Sequence, residues 1–436
     1  MASFSDAPTE VIDQVMKYLP RSDLPSVCLA SKSLRCSAEP FLYSTVSLEW
    51  DLGEFPPIAP LLATLIRRPE LFKHIDVVSL EGIMRQGVPL RPMDTSNISF
   101  DKFEAAIKKT KLSFSDISAR TCIYALAALL IASLSRTTHL TITTPWINGQ
   151  LLVGQVLQAK ILGQLPTFER LRELRYLKRR DITYPENNMI FGETIRLFYL
   201  PTVTHLDVIM TNPETFQWPA GLGEPNLDHL TSLKIGWLCE PFLAKIFALT
   251  RNLESLEWSW EHHGPPHPWE TTIMDFDKIT ETLQPLKDTL RSFEFTMHLG
   301  KDDELGDMLD MTYQGNFRHL RNFTRLTHLQ VLLTSCSEAD SAPLALADFV
   351  PDSAEVITLP GLALNTDWLP CGWDEDFFDI KDLVPIIEAV ADARPSRLPR
   401  LQSIVILDGT NYIVRRRIGH DIIEFDLGFE VRFYGD

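Results

Sequence analysis

The N-terminal region of the chain consists of short apolar segments separated by prolines. Apolar residues recur at helical spacing in the first segment: Val11, Ile12, Val15, Met16 and Leu19. Asp6 and Pro8 fit the N-cap and the first turn of this helix, and the next proline in the chain ends it. Asp23 and Pro25 start a second helix in the same way, and the apolar spacing resumes over residues 34–42. The pattern predicts three short helices.

Three helices of this length carry more apolar surface than they can cover by packing on one another, because a unit of about 40 residues has little interior. Two interpretations stay open. The remaining surface packs against the rest of the chain, so that the helices form a cap on the following domain, or it packs against a partner protein. The spacing alone favours neither interpretation.

A loose L-x-x-L-x-L pattern recurs through the rest of the chain. Its anchor residues are Leu140, Leu174, Leu206, Leu233, Leu256, Phe293, Leu329, Ile357 and Ile404. Successive anchors are 23 to 47 residues apart, which is longer and less even than the regular leucine-rich repeat. Helical stretches lie between anchors, at 242–249, 279–290 and 383–391. One strand and one helix per repeat predict an α/β fold, a curved solenoid with parallel strands on its inner face.

These patterns place a domain boundary at about residue 46. Residues 1–46 form the helical domain, and residues 47–436 form the irregular leucine-rich-repeat-like solenoid. An acidic, proline-containing insertion covers about 335–396, and strict alternation at about 422–434 predicts a one-sided strand that caps the solenoid. A doubly wound α/β domain is the competing fold. The lack of a glycine-rich phosphate turn after any strand argues against it.

Charge and cysteine content narrow the class of protein. The 41 Lys and Arg against 58 Asp and Glu give a net charge of −17, so a phosphate backbone would repel the chain and we expect no nucleic acid partner. The 6 cysteines include no C-x-x-C pair, which fits a reducing compartment. The first residues show no secretory signal, and the apolar run at 122–134 is too short to span a bilayer and predicts a buried helix. We therefore expect a cytoplasmic or nuclear protein without membrane contact.

The N-terminal segment DAPTEVIDQVMKYLPRSDLPSVCLASKSLRCSAEPFLYSTVSL resembles an F-box. The residues that match the family pattern are Pro8, Glu10, Val11, Val15, Leu19, Pro20, Asp23, Leu24, Ser31, Lys32, Pro40, Leu42 and Tyr43. Two positions depart from it: Ala7 replaces the usual leading leucine, and Leu34 stands where a large aromatic residue is common. The repeats that follow resemble the irregular leucine-rich-repeat region of fungal F-box proteins.

The resemblance implies a substrate-recognition subunit of a Skp–cullin–F-box ubiquitin ligase, without catalysis of its own. The helices would dock on a Skp-type adaptor, and through it on a cullin–RING ligase, by laying apolar faces in a hydrophobic groove. The expected adaptor contacts are Pro8, Ile12, Leu24, Pro25, Val27, Cys28 and Leu29. Each of these residues could instead belong to the internal core of the helices. A Skp-bound scaffold without a ubiquitylation target is the alternative function.

The residues between the strand anchors point away from the core, because side chains alternate along a strand. The row that would face a target protein includes Glu173, Arg175, His205, Asp207, Lys234, Glu257, Glu294 and His328. This row is polar and mixed in charge. It could recognise a folded protein, a peptide or a small ligand, or it could be a solvated face without a partner.

A histidine-rich segment, WSWEHHGPPHPWE at 258–270, is the main candidate for chemistry. Its possible metal ligands are Glu261, His262, His263, His267 and Glu270. Their spacing matches no common zinc pattern, so a solvated loop is the simpler interpretation and a metal-dependent enzyme using the His262–Glu270 loop is a remote alternative. The chain lacks the G-x-S-x-G, H-E-x-x-H and Walker A motifs. We expect no catalytic residue, no metal and no cofactor.

Overall fold

The structure, a computed structural model, describes a large part of the chain in separate ranges. These are residues 7–50, 55–82, 122–147, 152–177, 187–262, 273–299, 312–331, 346–360, 390, 393, 396–408 and 430–435. The chain forms two compact units, of which the first comprises residues 1–185 and 192–208 and the second residues 186–191 and 209–436. Each unit contains parallel strands and helices, so the predicted α/β class is confirmed.

Three short helices begin the first unit: α1 (Thr9–Tyr18), α2 (Leu24–Ala30) and α3 (Lys32–Leu42). Helices α1 and α2 each pack against α3. Their shared core is made of one residue per helical turn: Ile12, Met16, Leu24, Cys28 and Ala38. The proline pattern predicted the number and position of these helices.

Helix capping differs in detail from the prediction. Asp6 lies outside the described residues, and α1 begins directly after Pro8. Asp23 occupies the N-cap position of α2, but its carboxylate accepts no capping hydrogen bond. Ser31 supplies the cap of α3, since its Oγ accepts the N–H of Leu34 at 3.1 Å.

Five parallel strands of the first unit neighbour one another in chain order: β1 (Thr45–Trp50), β2 (Val77–Gly82), β3 (His139–Thr143), β4 (Glu173–Leu177) and β5 (His205–Ile209). The connecting helices are α4 (Ile58–Arg67), α5 (Cys122–Ser133), α6 (Thr144–Ile147) and α7 (Leu152–Ile161), with 3-10 turns at Pro69–His74 and Ile195–Tyr199. Helix α8 (Asn187–Thr194) crosses the boundary between the two residue ranges. Helix α5 is the predicted buried helix, and its side chains from Ala125 to Ala132 are all buried.

Seven parallel strands of the second unit also neighbour one another in chain order: β6 (Ser232–Gly236), β7 (Ser255–His262), β9 (Ser292–Leu299), β11 (His328–Gln330), β12 (Val356–Pro360), β13 (Ser403–Asp408) and β14 (Glu430–Gly435). A separate pair is formed by β8 (Ile273–Asp275) and β10 (Thr312–Gln314). The helices are α9 (Glu240–Phe247), α10 (Phe276–Leu283) and α11 (Leu346–Phe349), with 3-10 turns at Gln284–Leu286 and Arg318–Asn322.

Strand register aligns the anchor residues of the sequence pattern. In the first unit, Leu140, Leu174 and Leu206 are register partners on neighbouring strands. The aligned anchors of the second unit are Leu233, Leu256, Phe293, Leu329, Ile357 and Ile404. All of these side chains are buried, so the pattern identified one continuous apolar row in each sheet. The pattern did not identify β1 and β2, which belong to the same sheet as β3.

One backbone arrangement repeats at the start of successive strands. The carbonyl just before one strand accepts N–H groups from two successive residues at the start of the next. Thr138 O, for example, accepts from Arg172 N at 2.8 Å and from Glu173 N at 3.1 Å. The other acceptors are the carbonyls of Ser44, Asp76 and Arg172 in the first unit and of Thr231, Glu254, Arg291, Thr327 and Glu355 in the second. Each of these strands therefore enters its sheet in the same way.

Two predicted boundaries can be compared with the positions of described strands. The predicted insertion at 335–396 contains β12, which pairs with β11 and β13 and is therefore part of the sheet. The predicted domain boundary at residue 46 falls inside β1. Residues 361–389 of the predicted insertion and 422–429 of the predicted capping strand lie outside the described residues. Neither unit reverses its strand order among the described strands, as a doubly wound sheet does at its switch point. No helix in the described ranges has the length and apolar character that a bilayer crossing requires.

One buried lysine of the first unit donates its hydrogen bonds to backbone carbonyls. Lys160 on α7 is fully buried, and its Nζ donates to Leu134 O at 2.6 Å and to Pro166 O at 2.7 Å. The ammonium also lies 4.5 Å from the centre of the Phe168 ring. Burial lowers the pKa of Lys160 to about 7, while the two carbonyls and the ring offset part of that cost.

We predict that Lys160→Met removes a pH dependence of stability. An unfolded lysine, with a pKa of about 10.4, keeps its proton at a pH where the folded one releases it, so raising the pH from about 7 to about 9 favours the folded chain. We expect the free energy of unfolding of the wild type to rise by roughly 2 kcal/mol over this range, measured by urea denaturation. An equal rise in the methionine variant would contradict the assignment.

Candidate functional site

Exposed apolar side chains concentrate on the N-terminal helices. On α1, Val11, Val15 and Tyr18 are 50 %, 37 % and 81 % exposed, and on α2, Leu29 is 80 % exposed. The three α1 residues occupy positions i, i+4 and i+7, so they form one line along the helix. We call Val11, Val15 and Tyr18 the apolar stripe. Among the described residues, the other large apolar side chains with comparable exposure are Leu162 and Ile273, which are isolated.

Helix α1 is apolar on two sides. Ile12 and Met16 are buried in the shared core of the helices, and Leu19 packs against it. The apolar stripe is offset from this inner line by one residue, about 100° around the helix, so it lies beside the core and stays exposed. A surface helix of a soluble domain ordinarily has a polar outer side, and an exposed line of large apolar residues marks an interaction surface.

The expected adaptor contacts separate into two groups. Ile12, Leu24 and Cys28 are buried between the helices, and burial raises the pKa of the Cys28 thiol. Val27 is half-buried against the same core. The exposed members are Pro8, Pro25 and Leu29. For the buried group, the internal-core interpretation is therefore the one that the geometry supports.

Sequence reasoning did not propose the apolar stripe as a contact. Val11 and Val15 fit the helical pattern, but their neighbours Ile12 and Met16 have the same spacing. The presence of two apolar lines on one short helix indicates an exposed apolar surface, since the core of three short helices needs only one such line. Tyr18, the most exposed of the three, extends the outer line by one turn.

An ion-pair network attaches the helices to the rest of the first unit. Arg68, just after α4, donates from Nη1 and Nη2 to the two carboxylate oxygens of Glu39 on α3, at 2.6 and 2.7 Å. Its Nε donates to Glu70 at 2.8 Å. The paired hydrogen bond from Arg68 lowers the pKa of Glu39, although partial burial of the carboxyl opposes this. The bidentate geometry holds α3 in one orientation relative to the strand region.

The predicted target-facing residues lie on the polar side of their strands. Glu173, Arg175, His205 and Asp207 share the first two polar rows of β4 and β5, where Glu173 pairs in register with His205 and Arg175 with Asp207. The corresponding residues of the second unit are Lys234, Glu257, Glu294 and His328. Asp207 is buried, and the other seven are half-buried or exposed. The alternation along the strands therefore placed all eight on the expected face.

Charges on these faces are partly paired across strands. Arg175 Nε donates to Asp207 Oδ2 at 3.0 Å in the first unit, and Lys234 forms an ion pair with Glu257 in the second. Partial burial raises the pKa of Glu294, and the neighbouring Glu257 raises it further. Both cations of the eight residues thus already have a carboxylate partner. These pairings depend on strand register, which the sequence alone did not fix.

A strained tryptophan follows β6 in the second unit. Trp237 has a φ of 69°, in the left-handed region that costs energy for a bulky residue. Its N–H donates to Ser259 O at 2.8 Å, and the indole of Trp258 donates to Leu238 O at 2.9 Å. Asn212 Oδ1 accepts the N–H of Cys239 at 2.8 Å. These three hydrogen bonds hold the loop in place against the strain.

No protein family model matches the chain, and no curated protein matches it.

The histidine-rich candidate lies mostly outside the described residues. Glu261 and His262 form the end of β7, while residues 263–270 lie outside. Within the described ranges, no group of three or more His, Cys, Asp or Glu side chains has an arrangement that could hold a metal ion. The metal-enzyme alternative therefore stays a prediction.

We predict that Arg68→Ala weakens the first unit in a pH-dependent way. The loss of the bidentate pair should lower the free energy of unfolding by about 1 kcal/mol near neutral pH, since both partners are partly exposed. The lowered pKa of Glu39 means that this contribution is present above the ordinary glutamate pKa of about 4.3 and is lost as the pH falls further.

The measurement is urea denaturation at about pH 7 and about pH 3. Arg67→Ala is the matched control, because Arg67 is also an arginine at the end of α4 and its Nε donates to Ala63 O of the same helix. A difference between wild type and Arg68→Ala that persists undiminished at the lower pH would show that the ion pair is not its cause.

Proposed function

We propose that this protein is a substrate-recruiting subunit of a Skp–cullin–F-box ubiquitin ligase. Helices α1 to α3 act as the F-box and dock on a Skp-type adaptor, and the polar strand faces bind a target protein. The observation that supports docking most strongly is the apolar stripe of Val11, Val15 and Tyr18. It adds a structural argument to the F-box resemblance of the same segment, because that segment has an exposed apolar side as well as a complete core.

Apolar contact provides the binding energy in this proposal. Full burial of a Val or Leu side chain contributes about 1.5–3 kcal/mol, and the stripe residues have a large part of their surface left to bury. Leu29, Pro8 and Pro25 extend the same chemistry beyond α1, since all three are exposed. An amphipathic helix face in a hydrophobic groove is a common way for such a surface to bind a partner.

The strand regions are proposed to be irregular leucine-rich repeats. Support comes from the chain-order arrangement of strands in each unit and from the repeated carbonyl arrangement that precedes them. Repeat proteins stack one strand per repeat and use an open strand face for binding. In this proposal the polar rows of each unit supply such a face.

The protein would act by proximity and not by catalysis. Binding both the adaptor and the target raises the effective concentration of a target lysine near a ubiquitin-conjugating enzyme, up to the millimolar range for a short connection. The pairing of Glu39 with Arg68 suits this role, because it fixes the helices on the unit that carries β1 to β5. Reduced cysteines, including Cys28, Cys36 and Cys239, are compatible with the cytoplasm or nucleus, where we propose that the protein acts.

We predict that Val15→Glu and Leu29→Glu each weaken binding to a purified Skp-type adaptor by at least about tenfold. A carboxylate in an apolar groove loses its hydration without gaining a partner. Both positions are exposed, so the melting temperature should change little. Leu162→Glu, at an isolated exposed leucine of the first unit, is the control and should bind like the wild type.

Ile12→Glu should instead unfold the helices, because Ile12 is buried in their core. Adaptor affinity that is unchanged in both Val15→Glu and Leu29→Glu would refute the docking surface. Affinity that falls equally in Leu162→Glu would show that the loss is not specific to it.

A second prediction concerns the target. In cells treated with a proteasome inhibitor, proteins captured by the wild-type chain should carry more ubiquitin than the same proteins captured by Val15→Glu. The variant keeps the strand faces and loses the adaptor, so capture should persist while ubiquitylation falls. Equal ubiquitylation with both chains would indicate a scaffold and not a ligase subunit.

A further inference from the structure

The second unit buries two carboxylates where helices α9 and α10 pack against each other. Glu240, the first residue of α9, is 7 % exposed, and Asp275, the N-cap of α10, is 9 % exposed. Ionised carboxylates are seldom buried without donors, because burial removes their hydration. The donors that reach each carboxylate therefore decide whether it can keep its charge.

Asp275 is well supplied with donors. Its Oδ1 accepts the N–H groups of Asp277 and Lys278, each at 3.1 Å, and so caps α10. Its Oδ2 accepts a hydrogen bond from Nε2 of Gln314 at 2.7 Å and lies 3.4 Å from Nζ of Lys278. Burial alone would raise the pKa of Asp275, but these contacts together outweigh it, and the pKa is lowered. Asp275 thus keeps its negative charge inside the junction.

Glu240 lacks comparable support. Among the described residues, its carboxylate accepts a hydrogen bond from its own backbone N–H and none from another residue. Burial raises the pKa of Glu240 and the charge of Asp275 adds to the rise, while its own N–H and the ammonium of Lys278 offset part of it. That ammonium is already paired with Asp275. The charge on Glu240 is therefore the unfavourable one of the two.

The remaining carboxylate of this junction is engaged elsewhere. Asp277, in the first turn of α10, accepts the N–H of Asn316 on its Oδ1 at 3.3 Å. Asp275 and Asp277 together thus tie the start of α10 to the segment that follows β10. The charged groups that act on Glu240 are Asp275 and Lys278, both at the start of α10. Any change in the charge of Glu240 is therefore felt where α9 meets α10.

We propose that Glu240 is a pH sensor of the second unit, whose carboxyl takes up a proton in mildly acidic solution and thereby stabilises the packing of α9 on α10. The uncharged carboxyl costs less to bury and does not repel Asp275. This device belongs to the fold of the second unit and depends neither on adaptor docking nor on target binding.

The direction of the pH dependence follows from the two end states. An unfolded glutamate has a pKa of about 4.3, so the folded unit holds a proton on Glu240 at a pH where the unfolded chain has lost it. The stability that this proton supplies is present in full below that value and is lost as the pH rises through the higher folded pKa. Asp275 has a lowered pKa, so it stays ionised above about pH 5 and leaves this range to Glu240.

Amide hydrogen exchange of the full-length chain tests the proposal. Wild type and Glu240→Gln are compared at the same pH, so that the chemical exchange rate cancels. At about pH 7 the amides of α9 should exchange at least about threefold more slowly in Glu240→Gln, because the amide is uncharged like the protonated carboxyl. At about pH 5 this difference should largely disappear. Glu281→Gln, at an exposed glutamate of α10, is the matched control and should exchange like the wild type at both pH values.

A second measurement follows the proton itself. Carboxyl carbon NMR of glutamate-labelled chain identifies Glu240 as the signal that Glu240→Gln lacks, and its titration midpoint should lie above the ordinary value of about 4.3. A midpoint at or below that value overturns the proposal. Exchange in α9 that is equal or faster in Glu240→Gln at about pH 7, or a difference that is the same at both pH values, also overturns it.

Discussion

Parallel pairing of successive strands is the constraint on which the two units depend. Nine of the described strands start on the carbonyl just before the preceding strand, and this shared start aligns their side chains with the equivalents on the neighbouring strands. Because side chains alternate along a strand, the alignment produces apolar rows on one side, through Leu140, Leu174 and Leu206 in the first unit, and polar rows on the other. The same constraint that builds the core therefore also assembles His139, Glu173 and His205 into one line.

The N-terminal helices follow a different logic. Their core is complete with Ile12, Met16, Leu24, Cys28 and Ala38, yet a second apolar line remains outside. The folding of this segment does not require that line, and its exposure to water has a free-energy cost that a partner would remove. The ion pair of Glu39 and Arg68 joins the two regions, so a partner on the helices would be held in a defined orientation relative to the strands of the first unit.

The sequence predicted the α/β class, nine strand anchors and the three helices because each rests on a local period. It did not predict β1 and β2, since Val46 and Leu48, or Val78 and Leu80, alternate in a way that many short segments share. It could not tell which apolar residues of α1 face inward, because Val11 and Ile12 fit the same helical spacing and only the docking of α3 separates them. Ion pairs such as that of Arg175 with Asp207 required the register, which long and uneven connections leave unspecified.

The central claim is that a second protein covers the outer side of α1. Hydroxyl-radical footprinting of Tyr18, in the chain alone and with a Skp-type adaptor, tests it most directly. The account predicts a reactive Tyr18 in the free chain and strong protection in the complex, with Leu162 and Ile273 reacting equally in both states. A Tyr18 that is already protected in the free chain would show that the protein covers this surface itself. Unchanged reactivity in the complex would show that the adaptor binds elsewhere.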